Sequence, residues 1–557
     1  MTTMSKQSTF AAASGATHEV FNQAPPLAGY NVYAADTALV EGVRRWGAEW
    51  AEERLTEIGE VAGSEEAIQW GFDANRYPPE LHTHDRYGHR VDEVSFHPAW
   101  HELMRRAVGW GLHAAPWREP RIGAHVARAA GFLVWSQVES GHGCPISMTY
   151  AAVPALRAEP AVAAEWEPRL TSLEYDFGLR PAAEKRGALS GMGMTEKQGG
   201  SDVRANTTRA VPTEDNAYLL TGHKWFCSAP MSDVFLVLAQ APGGLTCFLM
   251  PRVLPDGTRN NIAIQRLKDK LGNRSNASSE IELRDAWAVR VGPEGRGVRT
   301  IVEMVNHTRL DCAIGTAALM RQAVAQAIHH AAHRSAFGRL LIEQPLMTQT
   351  LADLALESEA ATTLALRLAA ADDRAASDPR EAALLRIGVA AAKYWVSKRG
   401  PALTYEAMEC LGGAGYVEES IMPRLYREAP VNAIWEGSGN VIALDVLRAL
   451  AREPESAAAL LDEIEAARGA DARLDAATAR LRAELTDTAN IEVRARRVIE
   501  QIALALQGSL LLRYAPNAVA DAFIASRLGG DWGQTFGTLP SGVDARAIVE
   551  RARPLVG

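Results

Sequence analysis

The sequence is short of the residues that build metal or disulfide frameworks. Five cysteines, Cys144, Cys227, Cys247, Cys312 and Cys410, are spread over 557 residues and none forms a C-x-x-C pair. That excludes a zinc ribbon and a disulfide scaffold, and predicts a reducing, cytoplasmic setting. No apolar run reaches the ~18–20 residues that a membrane span needs, so no membrane association is expected. The Ser/Thr/Ala-rich start, 1–18, lacks the cationic stretch and apolar core of a signal peptide and reads as a mobile tail. Positive charge is not in excess: 58 Lys and Arg stand against 67 Asp and Glu, a net charge of −9. The whole chain is therefore not a polybasic nucleic-acid binder, and any such role must be local. No G-x-G-x-x-G follows a strand, so a Rossmann site is unsupported, and no internal repeat is evident.

What is present is an ordinary globular composition, 47% hydrophobic and 22% charged. The length is too great for one core and predicts three or four units at ~150 residues each. The pattern over 19–190 is mostly helical, with apolar residues at three and four spacings from Asp36 to Ile58, breaks at Pro78-Pro79, Pro116 to Pro120 and Pro154, and a buried helix over Ile122 to Ser140. Over 191–294 short β-rich runs appear: Tyr218 to Trp225, Val234 to Ala239, Leu245 to Met250 and Glu280 to Val291. Over 295–450 the long Ala/Leu-rich stretches Val298 to Arg334, Leu346 to Ala376 and Glu381 to Cys410 predict an antiparallel bundle. The remainder, 451–557, carries helical candidates at Glu455 to Arg468, Ala477 to Thr486 and Asn490 to Tyr514. The fold class is therefore multidomain α+β: helical domain, β domain, four-helix bundle, and an extra helical domain.

Three segments carry chemistry. The first, Gly191 to Asp202, is a Gly-rich junction where helix gives way to sheet; its free N–H groups and hydroxyls suit a phosphate or a ring heteroatom, though a plain domain hinge is an equal reading. The second, Glu409 to Tyr416, places three glycines after a long helix, either as a C-cap and turn or as bare backbone for a pyrophosphate. In the third, Ile434 to Asn440, Glu436 stands between Trp435 and Gly437 just before a helix. An apolar wall raises a carboxyl pKa towards the range useful for proton abstraction; a charged surface-loop residue is the alternative.

The first two segments match the two signatures of the acyl-CoA dehydrogenase flavoprotein family, in the right order and on the expected domain pattern. Within it, Phe21-Asn22-Gln23, Phe96 to Trp100, Gly193 to Val203, Gly222 to Phe226, Leu267 to Ala277 and Leu425 to Glu428 resemble the AidB-like subfamily, linked to the bacterial adaptive response to DNA alkylation. The resemblance implies an acyl-CoA dehydrogenase-like fold with FAD between the β domain and the bundle. Met192, Gly193, Met194, Thr195, Gly200 and Ser201 would line it, with Thr195 at the ring and Ser201 near the pyrophosphate. Ser228, beside Cys227, takes the position whose hydroxyl bonds flavin N5. Phe226 stands where many relatives carry Trp. Arg334, Phe337 and Gly338 form the R-x-x-F-G element, which with Gln344, Gly412 and Gly413 reaches the FAD of a neighbouring subunit, implying a homo-oligomer, usually a tetramer. Glu436 matches the catalytic base that removes the α proton of an acyl thioester while hydride leaves the β carbon; Trp435, Gly437, Ser438 and Asn440 flank it at the cofactor. Some relatives place the base next to an Arg on another helix, but that position here is Thr308, which cannot serve. Trp435 would narrow the acyl pocket towards short or branched thioesters.

AidB-like proteins add a helical domain associated with double-stranded DNA. Here the residues after Leu450 include no lysine, and 13 arginines face 15 carboxylates. Arg494, Arg496 and Arg497, with Arg473, Arg480 and Arg482, form the candidate DNA-binding cluster; a solvated helix with ion pairs is the alternative. A DNA-associated protective flavoprotein with little acyl-CoA turnover is thus the competing function. His82, His84 and His89 with Asp85 sit in an expected polar loop without H-E-x-x-H spacing, and His329, His330 and His333 lie on a long helix, so no metal is expected.

Overall fold

The computed structural model describes residues 17–214 and 216–555; most of the expected tail, residues 1–16, lies outside them. The N-terminal part is a helical layer. Asp36 caps the helix Thr37–Arg45 through Leu39 N–H, and Ser64 caps Glu65–Arg76 through Ala67 N–H. The expected Asp36 to Ile58 helix is interrupted at Gly47, whose φ of +78° ends the first run before Glu52–Ala62 begins. The buried helix Ala124–Ser136 matches the predicted apolar stretch. Pro154 does not break Gly143–Leu156 but sits in its last turn.

The layer is not purely helical. Glu80–His84 and Arg90–Ser95 pair as an antiparallel hairpin, so His82 and His84 lie on a strand rather than in a polar loop. His82 Nε2 lies 2.9 Å from Ser95 Oγ, and His89 Nδ1 lies 3.0 Å from Asp85 Oδ2. Among the described residues no three His, Cys, Asp or Glu side chains converge as metal ligands.

The middle unit is a seven-stranded sheet. The four predicted runs become Ala217–Ser228, Val234–Ala241, Gly244–Pro251 and Ser278–Val291, joined by Ser190–Gly193, Arg209–Pro212 and Ile262–Leu267. Val234–Ala241 pairs with both Ser190–Gly193 and Gly244–Pro251, so pairing returns to its start in a barrel-like ring. Leu220, Phe235, Phe248 and Ile281 fill its interior.

The bundle follows as Gly297–His333, Pro345–Ala375, Pro379–Cys410 and Gly439–Arg452. The C-terminal helices Pro454–Glu465, Ala472–Thr486 and Ile491–Tyr514 do not stand apart from it: Leu460, Ile464, Val498 and Ile502 share one apolar core with Leu351 and Leu364. Buried ion pairs stitch this seam. Arg527 meets Asp353 and Glu357, and Arg367 meets Glu381 and Glu463.

Candidate active site

Glu436 sits on a turn in which two successive residues have positive φ. Its own φ is +57° and that of Gly437 is +103°. A Cβ on Gly437 would also meet Ile442 Cδ1 at 3.0 Å, so both conformation and space demand glycine there. Ser438 then takes the N-cap position of Gly439–Arg452, without a side-chain capping bond. Three groups hold the turn. Arg309 Nε donates to Glu436 O at 3.0 Å, Lys393 Nζ donates to Gly437 O, and Arg496 Nε donates to Asn440 Oδ1 at 2.8 Å.

The Glu436 carboxylate is half-buried. Burial pushes its pKa above the ordinary carboxyl range, against the Thr308 hydroxyl and the Arg309 and Lys393 charges, which pull it down. Thr308 Oγ1 donates to Glu436 Oε2 at 2.8 Å. Trp435 turns its indole N–H to Asn432 Oδ1 at 2.9 Å.

The Gly-rich segment starts as the strand Ser190–Gly193, which carries Met192 and Gly193, and continues through Met194 and Thr195 to an exposed turn with Gly200 and Ser201. A fully buried pair fixes its path: Lys224 Nζ donates to Glu196 Oε1 at 2.9 Å and to Leu238 O at 2.8 Å. Trp225 N–H closes on Thr195 O at 2.8 Å. Strand alternation separates the next three residues: Phe226 is exposed, whereas Cys227 is fully buried with its Sγ near Met192 O. Cys227 is thus packed into the core of the sheet.

Ser228 faces the junction of all three units. Cys144, at the start of Gly143–Leu156, lies there too: burial pushes its thiol up to about 11, with Lys270 and the Ser228 hydroxyl opposing and the Glu436 carboxylate reinforcing the shift. Helical layer, sheet and bundle therefore converge on Cys144, Ser228 and Glu436.

The remaining expected residues lie elsewhere. Arg334, Phe337 and Gln344 flank the small hairpin after Gly297–His333, 26 residues along from Thr308, or about 39 Å at 1.5 Å per residue. Phe337 is wholly exposed at φ +51°. Asn22 pins this hairpin: Arg334 Nη1 donates to Asn22 O at 2.7 Å and Ser335 N–H to Asn22 Oδ1 at 2.7 Å. The turn carrying Gly412 and Gly413 is at the same end, since Leu411 and Ala414 share a cavity wall with Gln326, His329 and His330. The expected cofactor residues thus fall into two groups, far apart on one chain.

Of the six candidate DNA-binding arginines, four lie within ion-pair distance of carboxylates: Arg473 of Asp471 and Asp521, Arg482 of Glu465, Arg494 of Glu484, and Arg497 of Glu484. Arg480 donates to Leu528 O, and Arg496 is engaged by Asn440.

Known proteins line up with this architecture segment by segment. The adaptive response protein AidB N-terminal domain model matches 22–177, the acyl-CoA dehydrogenase middle domain 191–286 and the acyl-CoA dehydrogenase C-terminal domain 295–451. AidB of Escherichia coli (strain K12) is 50% identical over 91% of this chain and 94% of its own length. The chain belongs to the acyl-CoA dehydrogenase family. It is accordingly an FAD-dependent oxidoreductase of AidB-like type. Caenorhabditis elegans ACDH-11, solved in complex with C11-CoA, superposes with a TM-score of 0.84 at 29% identity over 93% of each chain. An acyl-CoA dehydrogenase from Bacillus anthracis solved with FAD shares the fold at a TM-score of 0.63 and 18% identity, covering 82% of this chain and 86% of its own.

The family's cofactor fits the residues present. The hydroxyls of Thr195 and Ser201 make no hydrogen bond among the described residues, Phe226 is exposed with Lys268 Nζ 4.5 Å from its ring centre, and a Cβ on Gly412 or Gly413 would meet nothing within 4 Å, so bare backbone is open to a ligand. Thr308, Lys270, Lys393 and Asn22 were not predicted at the site. Thr308 carried one sequence signal, its place before Arg309, which points to a lost base rather than to a hydrogen-bond donor.

Proposed function

We propose that this acyl-CoA dehydrogenase family member removes the α and β hydrogens of a short or branched acyl thioester, with Glu436 as the base. The observation that carries this is a single half-buried carboxylate, raised in pKa and held by Thr308, at the junction where Ser228 and Cys144 also face. Bound FAD supplies the hydride acceptor. Met192 to Thr195, Phe226 and Ser228 would hold its ring side and Ser201 its pyrophosphate on one chain, and Arg334, Phe337, Gln344, Gly412 and Gly413 would serve the neighbouring chain. The separation of the two half-sites supports a homo-oligomer, read as a tetramer by family resemblance.

Glu436 takes the α proton onto Oε1, the oxygen not engaged by Thr308. The Glu436 N–H stabilises negative charge developing on the thioester carbonyl, and the raised pKa keeps the base strong enough for a weakly acidic C–H. Trp435 walls the pocket and excludes long straight chains. Anaerobic titration with a panel of acyl thioesters tests this: short or branched substrates bleach the flavin, and Glu436→Gln abolishes bleaching. Bleaching that survives Glu436→Gln overturns the assignment.

The match to the AidB N-terminal domain supports a second reading, a cytoplasmic, DNA-associated protective flavoprotein with little acyl-CoA turnover. Carboxylates already neutralise much of its arginine cluster, so the dehydrogenase reading is favoured. Binding to duplex DNA that stays flat between low and moderate salt excludes phosphate-driven association.

A further inference from the structure

Lys270 places a cation at the domain junction with no carboxylate inside ion-pair distance among the described residues. Its Nζ donates to Asn276 O at 2.6 Å and to Ser278 Oγ at 2.9 Å. Ser278 Oγ in turn lies 3.5 Å from Ser228 Oγ. An ammonium can only donate, so Ser278 Oγ must accept and its own O–H is free to point on to Ser228. That frees the Ser228 O–H to donate away from Ser278, with the Cys144 thiol as its one neighbouring side-chain partner on the helical layer.

The nearby acids are occupied. Glu428 accepts from Asn273 N–H and Nδ2, and Glu139 accepts from Asn75, Ser275 and the Gly141 N–H. On the helical layer, the Cys144 thiol is neutral, and Glu436 lies beyond it from the bundle side. Burial pushes the Lys270 ammonium down to about 8, with Cys144, Glu428 and Glu139 opposing. The 268–278 loop does not need this lysine to close: Lys268 N–H already reaches Ser278 O at 2.7 Å, and Asn276 Nδ2 reaches Asn273 Oδ1 at 2.9 Å. A half-buried cation without a counter-charge is costly, and its retention at this junction points to an electron-rich ligand.

We propose that Lys270 is a positioning residue for the bound flavin: through Ser278 it aims the Ser228 hydroxyl as a donor at the ring, and its standing positive charge favours the reduced ring. This rests on the FAD site assigned above. Ser228 touches the ring; Lys270 acts through the hydroxyl pair and through its field.

The test is the two-electron midpoint potential of FAD-loaded protein. Lys270→Met should retain flavin and lower the potential by about 30 mV at neutral pH, a tenfold loss in preference for the reduced state. Lys270→Arg should restore most of it. The gap between wild type and Lys270→Met should shrink above about pH 8, as the ammonium loses its proton. Ser278→Ala, which leaves the cation and cuts the link, should give a smaller fall and covers the case in which Lys270→Met does not fold. An unchanged potential in flavin-loaded Lys270→Met, or in Ser278→Ala if that alone folds, overturns the proposal and leaves the FAD site standing. Wild-type protein that takes up no FAD overturns both.

Discussion

Thr308 Oγ1 donates to Glu436 Oε2 at 2.8 Å and to Val305 O at 3.0 Å, so a bundle hydroxyl shares its proton between its own helix and the site carboxylate. The position that aligns with an alternative base in some relatives thus supports the carboxylate proposed as the base here.

Thr308→Val should remove the hydrogen bond that stabilises the ionised carboxylate and raise the Glu436 pKa further. The base works ionised, so flavin reduction rises with pH through a limb already displaced above the usual carboxyl range. The variant should move that limb up by about one unit and slow reduction about tenfold on the acid side. Anaerobic stopped-flow across that limb reads both effects; an unshifted limb counts against the contact.

Trp435→Ala should extend the accepted acyl length without abolishing reduction, because the indole precedes Glu436 in the chain and its N–H is bonded to Asn432, not to the carboxylate. Measuring kcat/KM over a thioester length series tests this, and an unchanged length profile refutes the wall.

Lys224→Met should strand Glu196 in a fully buried position and cost ~3–5 kcal/mol. Replacing both partners by apolar residues should recover much of that loss. Urea unfolding of the Lys224 and Glu196 single variants and the double variant measures it; a double-variant loss equal to the sum of the two single losses would mean that the pair is not coupled.

His307 faces Asp372 at 3.4 Å inside the helical junction. Burial alone would lower its pKa, but the Asp372 charge and the Glu303 carbonyl outweigh this and raise it to about 9. A raised histidine contributes stability that is complete below about pH 6.5 and lost as pH climbs through about 9, worth at most ~3 kcal/mol. Wild type should therefore lose thermal stability over that window and His307→Asn should not; parallel curves would exclude the pair as the cause.

The long helices and the four main strands were legible because their burial follows local periodicity, 3.6 in the bundle and continuous in the sheet. Glu436 stood out because an acid between Trp435 and Gly437 is an odd neighbour for solvent. The Glu80–His84 hairpin was not legible: its alternation is carried by His, Thr and Glu, which read as loop. Ser190–Gly193 is too glycine-rich to announce a strand and exists through parallel pairing with Val234–Ala241, more than 40 residues away. The inward turn of Cys227 depends on strand parity, and the roles of Thr308 and Lys270 depend on contacts between units, none of which a local pattern carries.

The guanidinium of Arg496 belongs to the last long helix, yet it grips Asn440, four residues past Glu436. A chain truncated after Leu450 would thus lose more than an appendage: the loop that presents the acid would be unmoored on its outer side. The tail end of this polypeptide is in that sense a buttress of the catalytic turn, and trimming it should blur the aim of the acid before it disturbs the rest of the molecule.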